Sequence, residues 1–256
     1  VGLFVVVSAF EAHEPRPELQ VPTRSVADGL VALDGPEGQR LLFESEAHAA
    51  FFPLASHFET QMSLTYCGVA SIAMVLNALE APAPAPADYA PHRLFTQDNV
   101  LNPLTAAITD DDAVSRYGMT LEQVAQVLEV YDVDAQAHFA SDHDIDRFRA
   151  MAVERLSEDA GHMIVNYSRS ALGQEGAGHI SPLGAYDAES DRFLILDVSR
   201  YKAPSVWVTA ERLFAAMAEP TDGEGSRSRG FVTIAGSRPR SAVTPSRAGS
   251  GRESGR

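Results

Sequence analysis

The stretch FETQMSLTYCGVASIAMVLNAL, residues 58–79, constrains this chain more than any other. From Gly68 to Leu79 only Ser71 and Asn77 are polar. A helix that is apolar on every side is buried in a core, so its first residue is held rigidly in space. That residue is Cys67, the single cysteine in 256 residues. At a helix start it faces unpaired backbone N–H groups and the positive end of the helix dipole, which both favour thiolate over thiol. The alternative is a small buried hydrophobe that packs like alanine. One cysteine excludes an intramolecular disulfide and a multi-cysteine metal site.

A thiolate that attacks an amide carbonyl creates an oxyanion, which needs donors. The Cys67 N–H is one. The side-chain amide of Gln61 is a second if the intervening loop turns back, and Gln–x5–Cys–Gly is a spacing used by cysteine peptidase-like enzymes. Gly68 would let a substrate backbone come close. The thiolate also needs a proton carrier and a group to orient that carrier. Of the eight histidines, His13, His48, His57, His92, His138 and His143 read as exposed. His162 and His179 each open a strand after a glycine, and His179 is preferred because its strand runs into a hairpin that returns through Asp197. An Asp that ends the apolar run FLIL either orients the imidazole or caps a strand end. His179 and Asp197 must share a face, which requires matching register parity or a bulge, and Pro182 is a place for one.

The rest of the chain reads as one unit. TLEQVAQVLEVY has Thr120 and Gln123 in capping-box spacing, followed by Leu121, Val124, Ala125 and Leu128 on one helical face. DVDAQAHFA alternates as a strand, and SDHDIDRFRAMAVERLS reads as a capped helix. HMIVNYS and GFVTIAG are strands, TAERLFAAMA is a short helix, and GHISPLGAYDAESDRFLILDVSRY is a hairpin. Glu80 to Pro91 is a Pro/Ala-rich loop. Asp110, Asp111 and Asp112 read as helix capping or solvated surface in preference to a cation site. Helices fall mostly early and strands mostly late, which predicts an α+β fold, helices on an antiparallel sheet.

Composition bounds the partners. The formal net charge of −15 argues against non-specific binding to nucleic acid. Residues 1–20 form an N-terminal segment whose apolar run, Val1 to Val7, followed by SAFEA, reads as the remnant of a secretory signal or as a buried strand. Export to the periplasm or medium is the expectation, with the cytoplasm as the alternative. No other run approaches the ~20 apolar residues of a membrane span. Residues 237–256 read as a disordered Arg/Ser/Gly tail, which leaves 21–236 as the catalytic domain.

FETQMSLTYCGVASIAMVLNAL, GQEGAGHISPLGAYDAESDRFLILDVSRYKAPSVWV and SRGFV together resemble the phytochelatin synthase family, in its short bacterial form, over about residues 54–235. The resemblance implies a papain-like fold and a Cys–His–Asp triad on Cys67, His179 and Asp197, with Gln61 at the oxyanion-hole position. It implies acyl transfer on glutathione. The thiolate cleaves the Cys–Gly bond, glycine leaves, and the γ-glutamylcysteinyl group passes to a second glutathione or to water. Phytochelatins made this way serve heavy-metal detoxification. Arg169 and Arg229 match family positions suited to clamping the γ-glutamyl α-carboxylate, with Asn166 as an assisting residue; for each arginine the alternative is a solvating charge. No resident cofactor or protein-bound metal is expected. Cd²⁺ or Zn²⁺ would enter as glutathione thiolates within the substrate, and a homodimer is compatible with the family. The Cys-rich C-terminal region of the plant enzymes has no counterpart here, from which we expect weak metal activation and competing hydrolysis. The competing readings are a papain-like peptidase or amidase on other peptides, and an inactive binding protein on the same fold.

Overall fold

Residues 26–85, 90–221 and 227–237 are described by the computed structural model. In chain order they form β1 (Val31–Ala32), α1 (Pro36–Glu44), α2 (Phe51–Ser56), α3 (Cys67–Ala78), α4 (Asp111–Tyr117), α5 (Leu121–Val130) and β2 (Val133–Phe139). There follow α6 (Ile145–Leu156), β3 (His162–Ser168), β4 (Gly178–Asp187), β5 (Arg192–Ile195), β6 (Val206–Thr209), α7 (Ala210–Ala218) and β7 (Gly230–Ser237). The N-terminal run and the tail beyond Ser237 lie outside the described residues, as does part of the Pro/Ala-rich loop.

The strands make one seven-stranded sheet in the order β1-β6-β5-β4-β3-β7-β2, with every neighbouring pair antiparallel. This is the expected α+β architecture. The helices are less segregated than the sequence suggests: α6 separates β2 from β3, and α7 separates β6 from β7. Helix α3 packs against β4, near the centre of the sheet. From Cys67 to Asn77 every residue of α3 is buried, as the absence of a polar face requires. Asn77 is tolerated there because its side-chain amide donates to the Phe95 carbonyl and accepts from the Phe95 N–H. Trp207, Tyr167, Phe148, Phe193 and Phe231 fill the core.

The local signals read from sequence appear where they were expected. Thr120 and Gln123 close a reciprocal capping box on α5. Asp110 caps α4 through the Ala113 N–H, Asp111 accepts from the Tyr66 hydroxyl, and Asp112 pairs with Arg116, so the triple aspartate has structural roles. Helices α1 and α2 and strands β1 and β6 escaped the sequence reading. Each is short, and its apolar residues are too few to set a period.

One irregularity in the central hairpin positions everything that follows. Between Asp187↔Arg192 and Ala185↔Leu194 the β4–β5 ladder is regular, but Leu183 pairs with Ile195, so the register slips by one residue at Gly184. Without that slip Asp197 would fall opposite Pro182 and point to the wrong side of the sheet. With it, the register carried past Ile195 sets Asp197 level with Ser181, on the face of His179, whose Nε2 it meets at 2.9 Å. The bulge is therefore at Gly184, two residues beyond the expected Pro182. A Cβ on Gly184 would meet Leu196 and Phe51 at 3.2 Å and Leu194 at 3.3 Å. Close packing on a bulge is a position that suits glycine.

Candidate active site

Cys67 is the first residue of α3 and is 8% exposed. Burial alone would push its thiol up. His179, hydrogen-bonded to the sulfur, and the N–H groups of Ile180 and Gly68 outweigh that and hold the thiol below its ordinary value. The imidazole contributes most, the Ile180 N–H of β4 next, and the helix start expected from the sequence contributes least, through the Gly68 N–H.

His179 is the second residue of β4 and is 5% exposed. Its Nε2 lies 2.9 Å from Asp197 Oδ1 and 3.1 Å from Ser181 Oγ, which leaves Nδ1 for the Cys67 sulfur. Burial disfavours the imidazolium, but Asp197 and Cys67 together raise the ring above its ordinary value. The two partners thus shift in opposite directions, the signature of a thiolate–imidazolium pair. Tyr167, directly across the ladder, stands edge-on to the ring at 5.7 Å.

Asp197 is fully buried. Burial pushes its carboxyl up, and His179, Arg169 and the Ser199 N–H more than reverse this. Oδ1 accepts from His179, from Ser199 N at 2.8 Å and from Arg169 Nη2 at 2.7 Å; Oδ2 accepts from Arg169 Nη2 at 2.7 Å. Asp197 is more than a strand-end cap, because a carboxylate buried this deeply is kept ionised only by such partners.

Arg169 therefore does not sit where a substrate clamp would. Its side chain is 4% exposed, its Nη1 donates to Gln174 Oε1 at 3.0 Å, and the carboxylate it holds is that of Asp197. Arg229 and Asn166, in contrast, line a cavity of about 710 Å³ beside the imidazole, together with His179, Ile180, Met119 and Thr120. The volume suits a small-molecule ligand. The Arg229 guanidinium donates to the carbonyls of Glu219 (3.2 Å) and Pro220 (2.5 Å). Among the described residues no carboxylate pairs with it, and it is 6% exposed.

Gln61 is tied to the same turn as Asp197: its N–H donates to the Val198 carbonyl at 2.9 Å. Its Nε2 donates to Ser63 O (2.6 Å) and to the Tyr201 hydroxyl (3.0 Å), while Oε1 is buried without a partner. A Cβ on Gly68 would meet Met119 Sδ at 3.0 Å, so the missing side chain makes room for Met119.

His162 is fully buried at the opposite end of β3 from the triad, with both ring nitrogens unpartnered. Of the six histidines read as exposed, His92 is; His48, His57, His138 and His143 are half-buried, and His13 lies outside the described residues. Sequence reasoning missed Ser181. A His-x-Ser repeat on one strand face was the available signal, since residues i and i+2 share a face.

A phytochelatin synthase family model matches residues 21–231. The chain belongs to the phytochelatin synthase family. It is 35% identical over 205 residues to glutathione gamma-glutamylcysteinyltransferase 3 of Lotus japonicus, covering 78% of this chain and 41% of that protein. It is 38% identical over 191 residues to glutathione gamma-glutamylcysteinyltransferase 1 of Arabidopsis thaliana, covering 74% of this chain and 37% of that protein. A glutathione gamma-glutamylcysteinyltransferase of Schizosaccharomyces pombe is 27% identical over 189 residues. This phytochelatin synthase family chain thus spans less than half the length of the curated relatives it matches. The matched segment contains Gln61, Cys67, His179, Asp197 and Arg229.

Proposed function

We propose that this chain is a cysteine-dependent glutathione gamma-glutamylcysteinyltransferase with a papain-like architecture. The observation that carries this reading is the Cys67–His179–Asp197 alignment, buried beside a cavity lined by an arginine that meets no carboxylate among the described residues, in a chain of this family. In the proposed reaction the Cys67 thiolate attacks the carbonyl carbon of the glutathione Cys–Gly bond. The developing oxyanion takes hydrogen bonds from the Cys67 N–H and from the Gln61 amide, where it replaces the Tyr201 hydroxyl as acceptor. The C–N bond breaks, the glycine amine takes the Nδ1 proton of His179, and a γ-glutamylcysteinyl thioester remains on Cys67. The amine of a second glutathione, or water, then attacks the thioester. It gives its proton to His179, and the C–S bond breaks to restore the thiolate. Asp197 keeps the ring in the tautomer this sequence needs.

Arg229 and Asn166 are the residues proposed to receive the γ-glutamyl α-carboxylate. A buried guanidinium whose described partners are carbonyl oxygens is suited to a carboxylate. Arg169 is assigned to Asp197 instead. No resident cofactor takes part; Cd²⁺ or Zn²⁺ enters as a thiolate of the substrate glutathione, bound through the substrate's own sulfur.

Mass spectrometry of the protein incubated with glutathione, with and without Cd²⁺ or Zn²⁺, tests the proposal. Free glycine and a γ-glutamylcysteinyl adduct on Cys67 are expected, and both should vanish in Cys67→Ala while the fold persists. Turnover retained in Cys67→Ala, or no glycine from the unaltered protein, would sink the reading. The ratio of phytochelatin to γ-glutamylcysteine reports how the acyl group divides between amine and water.

A further inference from the structure

We propose that Ser181 is a positioning residue for His179: its hydroxyl oxygen is a second acceptor for the imidazole Nε2–H, and together with Asp197 it fixes the ring with Nδ1 facing Cys67. The inference rests on Cys67 and His179 being the reacting pair of the function proposed above.

Ser181 stands two residues beyond His179 on β4, so both side chains leave the same face of the strand. Carried two residues past Ile195, where the ladder ends, the slipped register sets Asp197 level with Ser181. Ser181 is fully buried, and a buried hydroxyl is unfavourable unless it is hydrogen-bonded. Its oxygen lies 3.1 Å from His179 Nε2 and accepts a longer bond of 3.4 Å from the Val198 N–H. The imidazole nitrogen therefore points into a fork made by Ser181 Oγ and Asp197 Oδ1.

Two acceptors do what one does not. A ring held by a single Nε2–H bond is free to swing about that bond, and Nδ1 then leaves the sulfur. A second acceptor, off that axis and fixed on the same strand, removes the swing. The need is greater because Asp197 Oδ1 is already shared with Arg169 and the Ser199 N–H. The charged and titratable groups that face the ring are Cys67 from α3, Tyr167 from β3 and Asp197 after β5, with Arg169 behind Asp197. Ser181 is the neutral member of this set. Removing its hydroxyl therefore changes the imidazolium's hydrogen bonding without changing the charge of the site.

The test reads the ion pair directly. The rate of Cys67 alkylation by iodoacetamide is measured against pH for the unaltered protein and for Ser181→Ala. Loss of one hydrogen bond to the imidazolium should raise the midpoint for thiolate formation by about half to one pH unit. Glycine release from glutathione should fall by roughly 3- to 10-fold, with the melting temperature little changed. In a His179→Ala background, Ser181→Ala should shift the midpoint no further. An unchanged midpoint, or an equal shift in both backgrounds, overturns the proposal. If the unaltered protein releases no glycine, the glutathione reading fails while the alkylation profile still decides the role of Ser181. If Ser181→Ala does not fold, the near-isosteric Ser181→Cys, a much weaker acceptor, replaces it, and histidine ¹⁵N NMR reads the His179 titration. A lowered imidazolium midpoint is expected; an unchanged one overturns the proposal.

Discussion

Arg229 holds a buried guanidinium against two backbone carbonyls, whereas Arg169 closes onto the Asp197 carboxylate. The two substitutions should therefore fail differently. Arg229→Ala should raise the KM for glutathione by about tenfold or more, since a charge-assisted bond is lost, and leave the denaturation midpoint nearly in place. Steady-state glycine release at varied glutathione checks this. Arg169→Leu leaves Asp197 buried and short of its cation, which typically costs about 3–5 kcal/mol. Urea denaturation should show that loss, and activity should fall with stability. A KM effect without a stability effect would mean that Arg169 touches substrate after all. At Asp197 itself, the Asn variant keeps the shape but accepts poorly from Nε2–H, and kcat should fall by roughly 10²–10⁴. Pre-steady-state glycine release would place the loss in acylation.

The β4–β5 hairpin makes the triad possible at the scale of elements. Its slip at Gly184 decides which face Asp197 takes. Gly184→Val should force Leu196, Phe51 and Leu194 apart and destabilise the fold by roughly 1–3 kcal/mol. Glycine release measured below the melting transition should fall further than the remaining folded fraction accounts for, because a regularised ladder turns Asp197 away from His179. Full activity per folded molecule would show that the register survives without the glycine. Helix α3 contributes differently: its buried faces fix the height of Cys67 against β4, and its open first turn supplies the Gly68 N–H to the sulfur.

Across the whole molecule, His162 makes stability depend on pH. It lies fully buried without a partner for either nitrogen among the described residues, and burial lowers its pKa to about 4. Between about 6.5 and 4 the unfolded chain takes up a proton that the folded chain refuses. Stability is therefore complete above the unfolded value and is lost as pH falls toward 4, by about 3 kcal/mol in total. Replacing His162 with Phe or Leu should flatten this part of a stability-against-pH curve measured by urea unfolding; an unchanged slope would mean that the ring finds a partner. The catalytic pair runs the other way. With the Cys67 thiol held down and the imidazole held up, activity should extend to pH values below those of an isolated thiol, which the pH profile of glycine release measures. Among the described residues no helix is long and apolar enough to cross a membrane.

The one-dimensional pattern was enough to single out Cys67 as the candidate nucleophile and to predict its buried helix. An apolar run without a polar face must be buried, and a lone thiol at its start is electrostatically marked whatever surrounds it. The capping box of α5, the Asp110 cap and the hairpin strands were legible for the same reason, since each is written in residues within a few positions of one another. The imidazole and its carboxylate were legible as candidates, but not their shared face, because parity across a ladder depends on a one-residue slip that three packed side chains impose around Gly184. The two arginines were indistinguishable for a similar reason. Whether a guanidinium meets Asp197 or an open cavity is set by residues far away in the chain, brought together only by folding. Ser181 belongs with them: a serine on a strand gains its meaning from what the tertiary fold places opposite.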